Sequence, residues 1–360
     1  MFLDSMEDLV RIRDDRGEIL FENKAMREMI TILISNNETY NKYKTVFSGF
    51  YKEYINSNEK NSLISEVDFM GTLYSVKISP VYDNRSDILG FIEVYRDITN
   101  ERKITDQLFE TSIKIQEEIE LAKTLQKSIL PKKTQFKNVS FQYGYEPSAD
   151  LSGDVFDVVE IDKDKIGVYI ADVVGHGISA SIMTMFIRQS MRSVLIENPN
   201  FGPSDSLRML KEMFSQLGLD VSQYFSIFYI LIDFSKEKMI YANAGHNCMP
   251  ILFNKSHLAF LQNNGKFISN MFPDGPFNEK ELNIIEGDKL LIYTDGLVET
   301  TNSDGEFFGE ERLVNWIKRN KNEKDFVNKL LETVNLFSLE DKKDDVAMVF
   351  LEIGGEQNES

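Results

Sequence analysis

Two hydrophobic patterns alternate along this chain, one of period two and one of longer spacing, and they divide it into unlike parts. Near the start, Leu9-Val10-Arg11-Ile12 and Ile19-Leu20-Phe21 flank the turn-rich Asp14-Asp15-Arg16-Gly17, which predicts a hairpin. A helical stretch follows Asn23. Tyr74, Val76 and Ile78 then alternate with Ser75 and Lys77 as on a half-buried strand, and Ile88–Tyr95 gives another strand after the polar turn Asp83-Asn84-Arg85-Ser86.

Between Asn100 and Leu130 there is neither proline nor glycine, and charged residues are frequent, which predicts one long exposed helix ended by Pro131. Leu108, Ile115, Ala122 and Ile129 form one row and Ser112, Ile119 and Gln126 another, with steps of four and three. Such a narrow seam is expected of paired helices, and a helix packed on its own domain fits the pattern equally well.

Beyond this helix the chain is rich in strands. Val155–Ile161, Ile166–Val173, Phe225–Phe234, Met239–Ala244, Leu290–Thr294 and Val346–Ile353 are apolar, β-branched runs joined by turns such as Asp162-Lys163-Asp164-Lys165. Helical patterns at Ile178–Leu195, Pro203–Leu217, Glu310–Lys318 and Lys324–Leu336 interrupt them. Hairpins with segregated helices predict an α+β fold, with two antiparallel sheets stacked between helices.

Length and charge narrow the reading. The 360 residues suffice for about two domains with a core each. The net charge of −18 argues against nucleic acid or an anionic membrane surface as partner, since either would be repelled. One cysteine, Cys248, excludes an intrachain disulfide framework and suits a reducing cytoplasm. No stretch is apolar and long enough to span a membrane, and Met1–Asp8 lacks the basic and apolar segments of a signal peptide.

The chemistry is concentrated in five short segments: Ser152-Gly153-Asp154, Ile170-Ala171-Asp172 running into Gly175-His176-Gly177, Asn243-Ala244-Gly245-His246, Tyr293-Thr294-Asp295-Gly296, and Asp344-Asp345. Three place an aspartate at the end of an apolar run, and the last places a pair at the start of one. A strand followed by a tight turn holds a carboxylate rigidly at a sheet edge. Several converging there would form an oxygen-rich anionic pocket that requires divalent cations.

The first hundred residues resemble PAS sensor domains, on Asp15-Arg16-Gly17-Glu18-Ile19, Asn23 and the closing Asp97-Ile98-Thr99. All three histidines (His176, His246, His257) and the cysteine lie outside this region, so neither a histidine-held haem nor a flavin-cysteine adduct is expected in it. The resemblance implies an apolar pocket or a dimerisation module, and with the helical linker a homodimer.

Residues from Glu117 to Ile353 resemble the PPM-type (protein phosphatase 2C-like) serine/threonine phosphatases of the bacterial stage II sporulation and sigma-B-regulator branch. Glu120-Leu121-Ala122, Leu125-Gln126, Ile129-Leu130-Pro131 and Tyr145-Glu146-Pro147 carry the likeness, with Ser152–Asp157, Ala171–Gly177, Ala244–Asn247, Thr294–Glu299, Phe308–Leu313 and Asp344-Asp345-Val346. The resemblance implies two Mn²⁺ or Mg²⁺ ions, with Asp172 bridging them, Asp154 and the Val173 carbonyl on one, and Asp295 and Asp344 on the other. Four carboxylates would then balance two dications, and a water between the metals would attack phosphorus directly. Asp344 is preferred to Asp345, a choice the sequence leaves open. Asp157 is an accessory acceptor or simply a polar strand residue, and His176 a leaving-group acid or a structural residue.

The expected organisation is therefore a PAS-like sensor at 1–100, a helical linker at 101–131, a phosphatase domain with α-β-β-α layers at 132–354, and a tail at 355–360. The expected function is signal-regulated, metal-dependent dephosphorylation of a small bacterial regulator, by resemblance an anti-sigma-factor antagonist, in the cytoplasm. A non-catalytic scaffold and a general phosphatase acting on small phosphate esters are the alternatives.

Overall fold

The computed structural model describes residues 2–34, 37–57, 61–131, 135–136, 139–272, 275–338 and 344–354, so the tail at 355–360 lies outside the described residues. Contacts divide the chain into two compact units, Met1–Ile115 and Gln116–Ser360.

The first unit contains β1 (Leu9–Asp14), β2 (Ile19–Glu22), α1 (Lys24–Ile34), α2 (Asn37–Asn56), β3 (Leu63–Phe69), β4 (Thr72–Tyr82) and β5 (Ile88–Asp97). Its antiparallel sheet has the order β2-β1-β5-β4-β3. Local chemistry sets the joints. Asp14 Oδ1 accepts the amides of Arg16 at 3.0 Å and Glu18 at 2.8 Å, which fixes the predicted turn. Asn23 is fully buried, and its Oδ1 accepts the amides of Val10 and Met26, both at 3.0 Å, so one side chain starts α1 and fastens it to β1. Charge is also buried here: Glu93, with no exposed surface, accepts from Arg13 Nε at 2.6 Å and from Tyr95 Oη at 2.9 Å.

Helix α3 (Thr99–Ser128) begins where Asp97 Oδ1 accepts the Thr99 amide at 2.9 Å, and the boundary between the units falls inside it. Its predicted seam does not keep one environment. Leu108 and Ile115 are 67% and 50% exposed, whereas Gln126 is buried within the second unit.

The second unit contains β6 (Gln135–Phe136), β7 (Val139–Glu146), β8 (Asp154–Asp162), β9 (Lys165–Val173), α4 (Ile178–Glu197), α5 (Pro203–Gln216), β10 (Tyr224–Asp233) and β11 (Lys238–Ala244). It continues with β12 (Ile251–Phe253), β13 (Leu258–Phe260), β14 (Ile268–Ser269), β15 (Glu279–Asn283), β16 (Lys289–Tyr293), α6 (Asp295–Glu299), α7 (Gly309–Arg319), α8 (Phe326–Phe337) and β17 (Val346–Ile353). One six-stranded sheet runs β15-β11-β10-β9-β8 with β14 beside β10, and the other runs β13-β12-β16-β17-β7-β6.

Side-chain alternation builds the layers. Phe156, Val158, Val168, Ile170, Phe228 and Ile230 of the first sheet pack against Phe141, Leu290, Ile292, Val349 and Leu351 of the second. The opposite face of the first sheet, with Val155, Val159, Tyr169 and Tyr229, packs on Met183, Ile187 and Met191 of α4 and Leu207, Leu210 and Phe214 of α5. The outer face of the second sheet meets α6, α7 and α8 through Leu297, Leu313, Ile317, Leu330 and Val334. Sequence patterning left β7 and the short strands β12 to β15 unassigned, although Val139, Phe141, Tyr143 and Tyr145 alternate along β7 in the manner already used for β4. No helix among the described residues is long and apolar enough to cross a membrane.

Phe326 of α8 stacks on Phe350 of β17 with ring centroids 4.2 Å apart, and Trp316 packs edge-on against Phe326 at 5.0 Å. Phe326→Ala should therefore destabilise the second unit by ~3–5 kcal/mol. Trp316 is the single tryptophan, so its fluorescence during urea unfolding reads this unit; an unchanged midpoint would contradict the packing described.

Candidate metal centre

Strand parity decides which carboxylates can meet. On β8 and β9 the even-numbered residues face the second sheet, so Asp154 and Asp172 both point into the cleft between the sheets, and they are directly opposed in the β8–β9 register. Side chains so opposed stand roughly 5 Å apart. At an effective dielectric of about 20, two like charges at that distance repel by ~3 kcal/mol. Asp154 is 4% exposed, and its Oδ2 has no hydrogen-bond partner among the described residues. Burial, and then the charge of Asp172, pushes the Asp154 carboxyl well above its ordinary range. Burial, and then Asp295 and Asp344, pushes Asp172 up to about 7.

The second sheet supplies the facing group. Asp295 opens α6 directly after β16, and Asp344 precedes β17. Carboxylate oxygens of Asp295, Glu299 and Asp344 lie within 4.8 Å of one another. Glu299 was not singled out from sequence, yet it stands four residues after Asp295 on a helix, a spacing that puts both on one face. Burial raises Glu299, with Asp295 and Asp344 adding to the shift, and burial raises Asp344 as well. The approach of α6 to β17 requires glycine at 296, because a Cβ there would lie 2.0 Å from the Asp345 carbonyl oxygen. Gly153 is constrained less severely, a Cβ lying 3.0 Å from the Val173 carbonyl oxygen.

Asp344 and Asp345 have different surroundings. Both Asp345 carboxylate oxygens are engaged by the chain: Oδ1 accepts from Ser148 N at 2.7 Å and Ser148 Oγ at 2.9 Å, and Oδ2 accepts from Gly153 N at 2.7 Å. It secures the loop carrying Asp154, and Asp344 is left facing Asp295. Asn247, also not singled out, donates from Nδ2 to Asp295 Oδ2 at 2.8 Å.

Asp157 and His176 lie apart from this cluster. Asp157, an odd-numbered β8 residue, is turned to the helix face, where Arg192 Nε donates to it at 2.5 Å and Arg188 Nε is 3.2 Å away. It is a buried anion neutralised by α4, not a member of the carboxylate group. His176 is exposed in the turn before α4. His246 is buried, and burial pushes its ring below the ordinary histidine value.

Gln126 of α3 reaches the same region. Its Nε2 donates to the Ser152 carbonyl at 2.8 Å, and its Oε1 accepts the Ser152 amide at 3.2 Å. The last turns of the helix are thereby bonded to the backbone two residues before Asp154.

An unpartnered buried carboxylate oxygen amid a cluster forced towards protonation fits hard divalent cations, and the donor set is entirely oxygen.

Residues 162–354 match the family described as Stage II sporulation protein E (SpoIIE), a span that includes Asp172, Asp295 and Asp344 and begins after Asp154. Phosphoserine phosphatase RsbP of Bacillus subtilis (strain 168) is 31% identical over 189 residues, which cover 52% of this chain and 46% of that protein. Phosphoserine phosphatase RsbU of the same strain is 27% identical over 192 residues, covering 53% of this chain and 56% of that protein. The chain thus spans about half the length of these curated relatives. Among solved structures, the SiaA-PP2C domain of Pseudomonas aeruginosa has a TM-score of 0.60 at 17% identity, covering 68% of this chain and 98% of that one. The sandwich of antiparallel sheets and helices is a PP2C-like fold.

The raised carboxyls give a signed prediction. A folded-state value above the unfolded one means that the stability these groups contribute is fully present below about pH 4 and is lost as pH rises through the folded value, about 7 for Asp172. Metal-free protein should therefore lose stability from these groups between about pH 4 and 8, and Mn²⁺ should raise the melting temperature more at pH 8 than at pH 5. Asp172→Asn should flatten both trends in calorimetry. A Mn²⁺ effect of equal size at the two pH values would count against the cluster as the cation site.

Proposed function

The chain belongs to the Stage II sporulation protein E (SpoIIE) family, and on that premise we propose that it is a metal-dependent protein serine/threonine phosphatase acting on a phosphorylated small regulator, of the anti-sigma-factor antagonist type. The observation that carries the reading is the convergence of Asp154 and Asp172 from one sheet with Asp295 and Asp344 from the other, Asp154 being buried with no hydrogen-bond partner for its Oδ2 among the described residues. Two relatives bear the name phosphoserine phosphatase, which supports the same substrate group.

Asp154, Asp172, Asp295, Asp344 and the Val173 carbonyl would hold two Mn²⁺ or Mg²⁺ ions. Bound there, the ions would supply Lewis acidity for a phosphate dianion and for the attacking water. The chain's own groups then act by positioning. Asp345 holds the Asp154 loop, and Asn247 orients Asp295. Side chains able to attack phosphorus are otherwise engaged: the Cys248 thiol is buried and pushed up by burial, and the Ser152 hydroxyl accepts the Asp154 amide at 3.0 Å. That arrangement supports water as the nucleophile. Asp172→Asn should abolish Mn²⁺-dependent release of phosphate from a phosphorylated antagonist protein while leaving the circular-dichroism spectrum unchanged. Full turnover by the variant, or by chelated wild type, would sink the reading.

Residues 1–100 form a PAS-like sensor in this proposal, supported by the β2-β1-β5-β4-β3 sheet with α1 and α2 inserted between β2 and β3. Residues 101–131 link it to a phosphatase domain at 132–354, and the exposed Leu108 and Ile115 give the linker an apolar face for pairing in a homodimer. The protein is assigned to the cytoplasm on its buried, unpaired cysteine. Because Gln126 grips Ser152, the phase of the helix matters to the metal site. Inserting one residue at Thr111 turns everything downstream by about 100°. Seven residues leave only about 20° of drift. The single insertion should change basal activity and signal response strongly and the seven-residue insertion little; equal behaviour of the two would reduce the linker to a passive tether.

A further inference from the structure

The carboxylates come from two sheets, so their spacing depends on whatever joins those sheets at this edge. Ser226 of β10 is directly opposed to Asp172 on β9. Tyr293 ends β16, two residues before Asp295. Between them sits the imidazole of His246, with Nε2 3.0 Å from the Tyr293 carbonyl oxygen and Nδ1 3.2 Å from Ser226 Oγ. A carbonyl can only accept, so Nε2 carries the proton, and Nδ1 accepts from the Ser226 hydroxyl. Both ring nitrogens are therefore occupied. A histidine beside an aspartate cluster is ordinarily a ligand candidate, but this one has no lone pair to offer a cation.

The ring is itself held from behind. Asn243 Oδ1 accepts the His246 amide at 2.7 Å, and Asn243 Nδ2 donates to the His246 carbonyl at 2.9 Å and to the Asn263 carbonyl at 2.7 Å. His246 is 2% exposed and Asn243 1%, so water does not compete for these bonds. The next residue, Asn247, continues the loop to the Asp295 carboxylate.

We propose that His246 is a positioning residue that sets the separation of the two aspartate-bearing sheets at the metal edge, and through it the affinity for divalent cation. This rests on the phosphatase reading only in placing cations at the four aspartates. Groups that orient metal ligands from behind typically change affinity by about 10–100-fold when removed.

The test is calorimetric titration of Mn²⁺ into the full-length chain, below the melting transition of every variant. His246→Phe, which fills the space without either bond, should bind Mn²⁺ about 10–100-fold more weakly. His246→Gln, which keeps one donor and one acceptor, should recover most of that loss. Leu330→Ala, a core substitution under α8, should lower the melting temperature and leave Mn²⁺ affinity unchanged. Wild-type affinity in His246→Phe overturns the proposal, and so does an equal loss in Leu330→Ala, which would make the effect one of general destabilisation. Should His246→Phe fail to fold, His246→Asn, too short to span both partners, takes its place under the same criteria. Failure of wild-type protein to bind Mn²⁺ would instead refute the metal site itself.

Discussion

Everything distinctive about the second unit follows from the burial of like-charged carboxylates where two sheets meet. Buried Asp154 and half-buried Asp172 stand opposite each other where desolvation penalises even one charge, and the whole chain already carries a net charge of −18. Under the proposed function, divalent cations would resolve that conflict. The same conflict explains why the surrounding structure is so heavily hydrogen-bonded to backbone, since a cluster that repels itself must be held together by other means.

Those means are clasps of three kinds, two between the sheets and one within the second sheet. Asp345 at the head of β17 accepts from Ser148 and Gly153, so one carboxylate fixes the loop that carries another, Asp154. Thr294, fully buried, accepts the Ala347 amide at 2.9 Å and ties β16 to β17 just before Asp295. His246 and Asn247 join the start of β10 to the Asp295 segment. The apolar interior between the sheets supplies most of the stability, but it is non-directional and cannot set the position of a carboxylate to a fraction of an ångström.

The first unit manages buried charge differently. Arg13 and Tyr95 satisfy Glu93 inside the core, so the opposite charges needed are supplied by the protein itself. Helix α3 begins in this unit at Asp97-Ile98-Thr99 and ends in the second unit with Gln126 bonded to Ser152. An amide is well suited to that junction, since it satisfies a backbone donor and acceptor together without adding to the negative charge nearby.

Period-two alternation and turn chemistry made most of the strands legible in the sequence, together with the hairpin at Asp14–Gly17, the proline-free helix and the five aspartate-bearing segments, because these depend on near neighbours in the chain. The face of each aspartate was in principle legible too: parity along β8 sends Asp154 inward and Asp157 towards the helices, where Arg188 and Arg192 meet it. The different employment of Asp344 and Asp345 was not legible, because it depends on Ser148 and Gly153, nearly two hundred residues away in the chain. Gln126 likewise fitted a helix seam by spacing, and only the position of the Ser152 loop turned it into a backbone clasp. Local pattern determines which elements form and which way their side chains point. Which of several identical carboxylates is left free is decided by partners that only the tertiary fold brings within hydrogen-bonding distance.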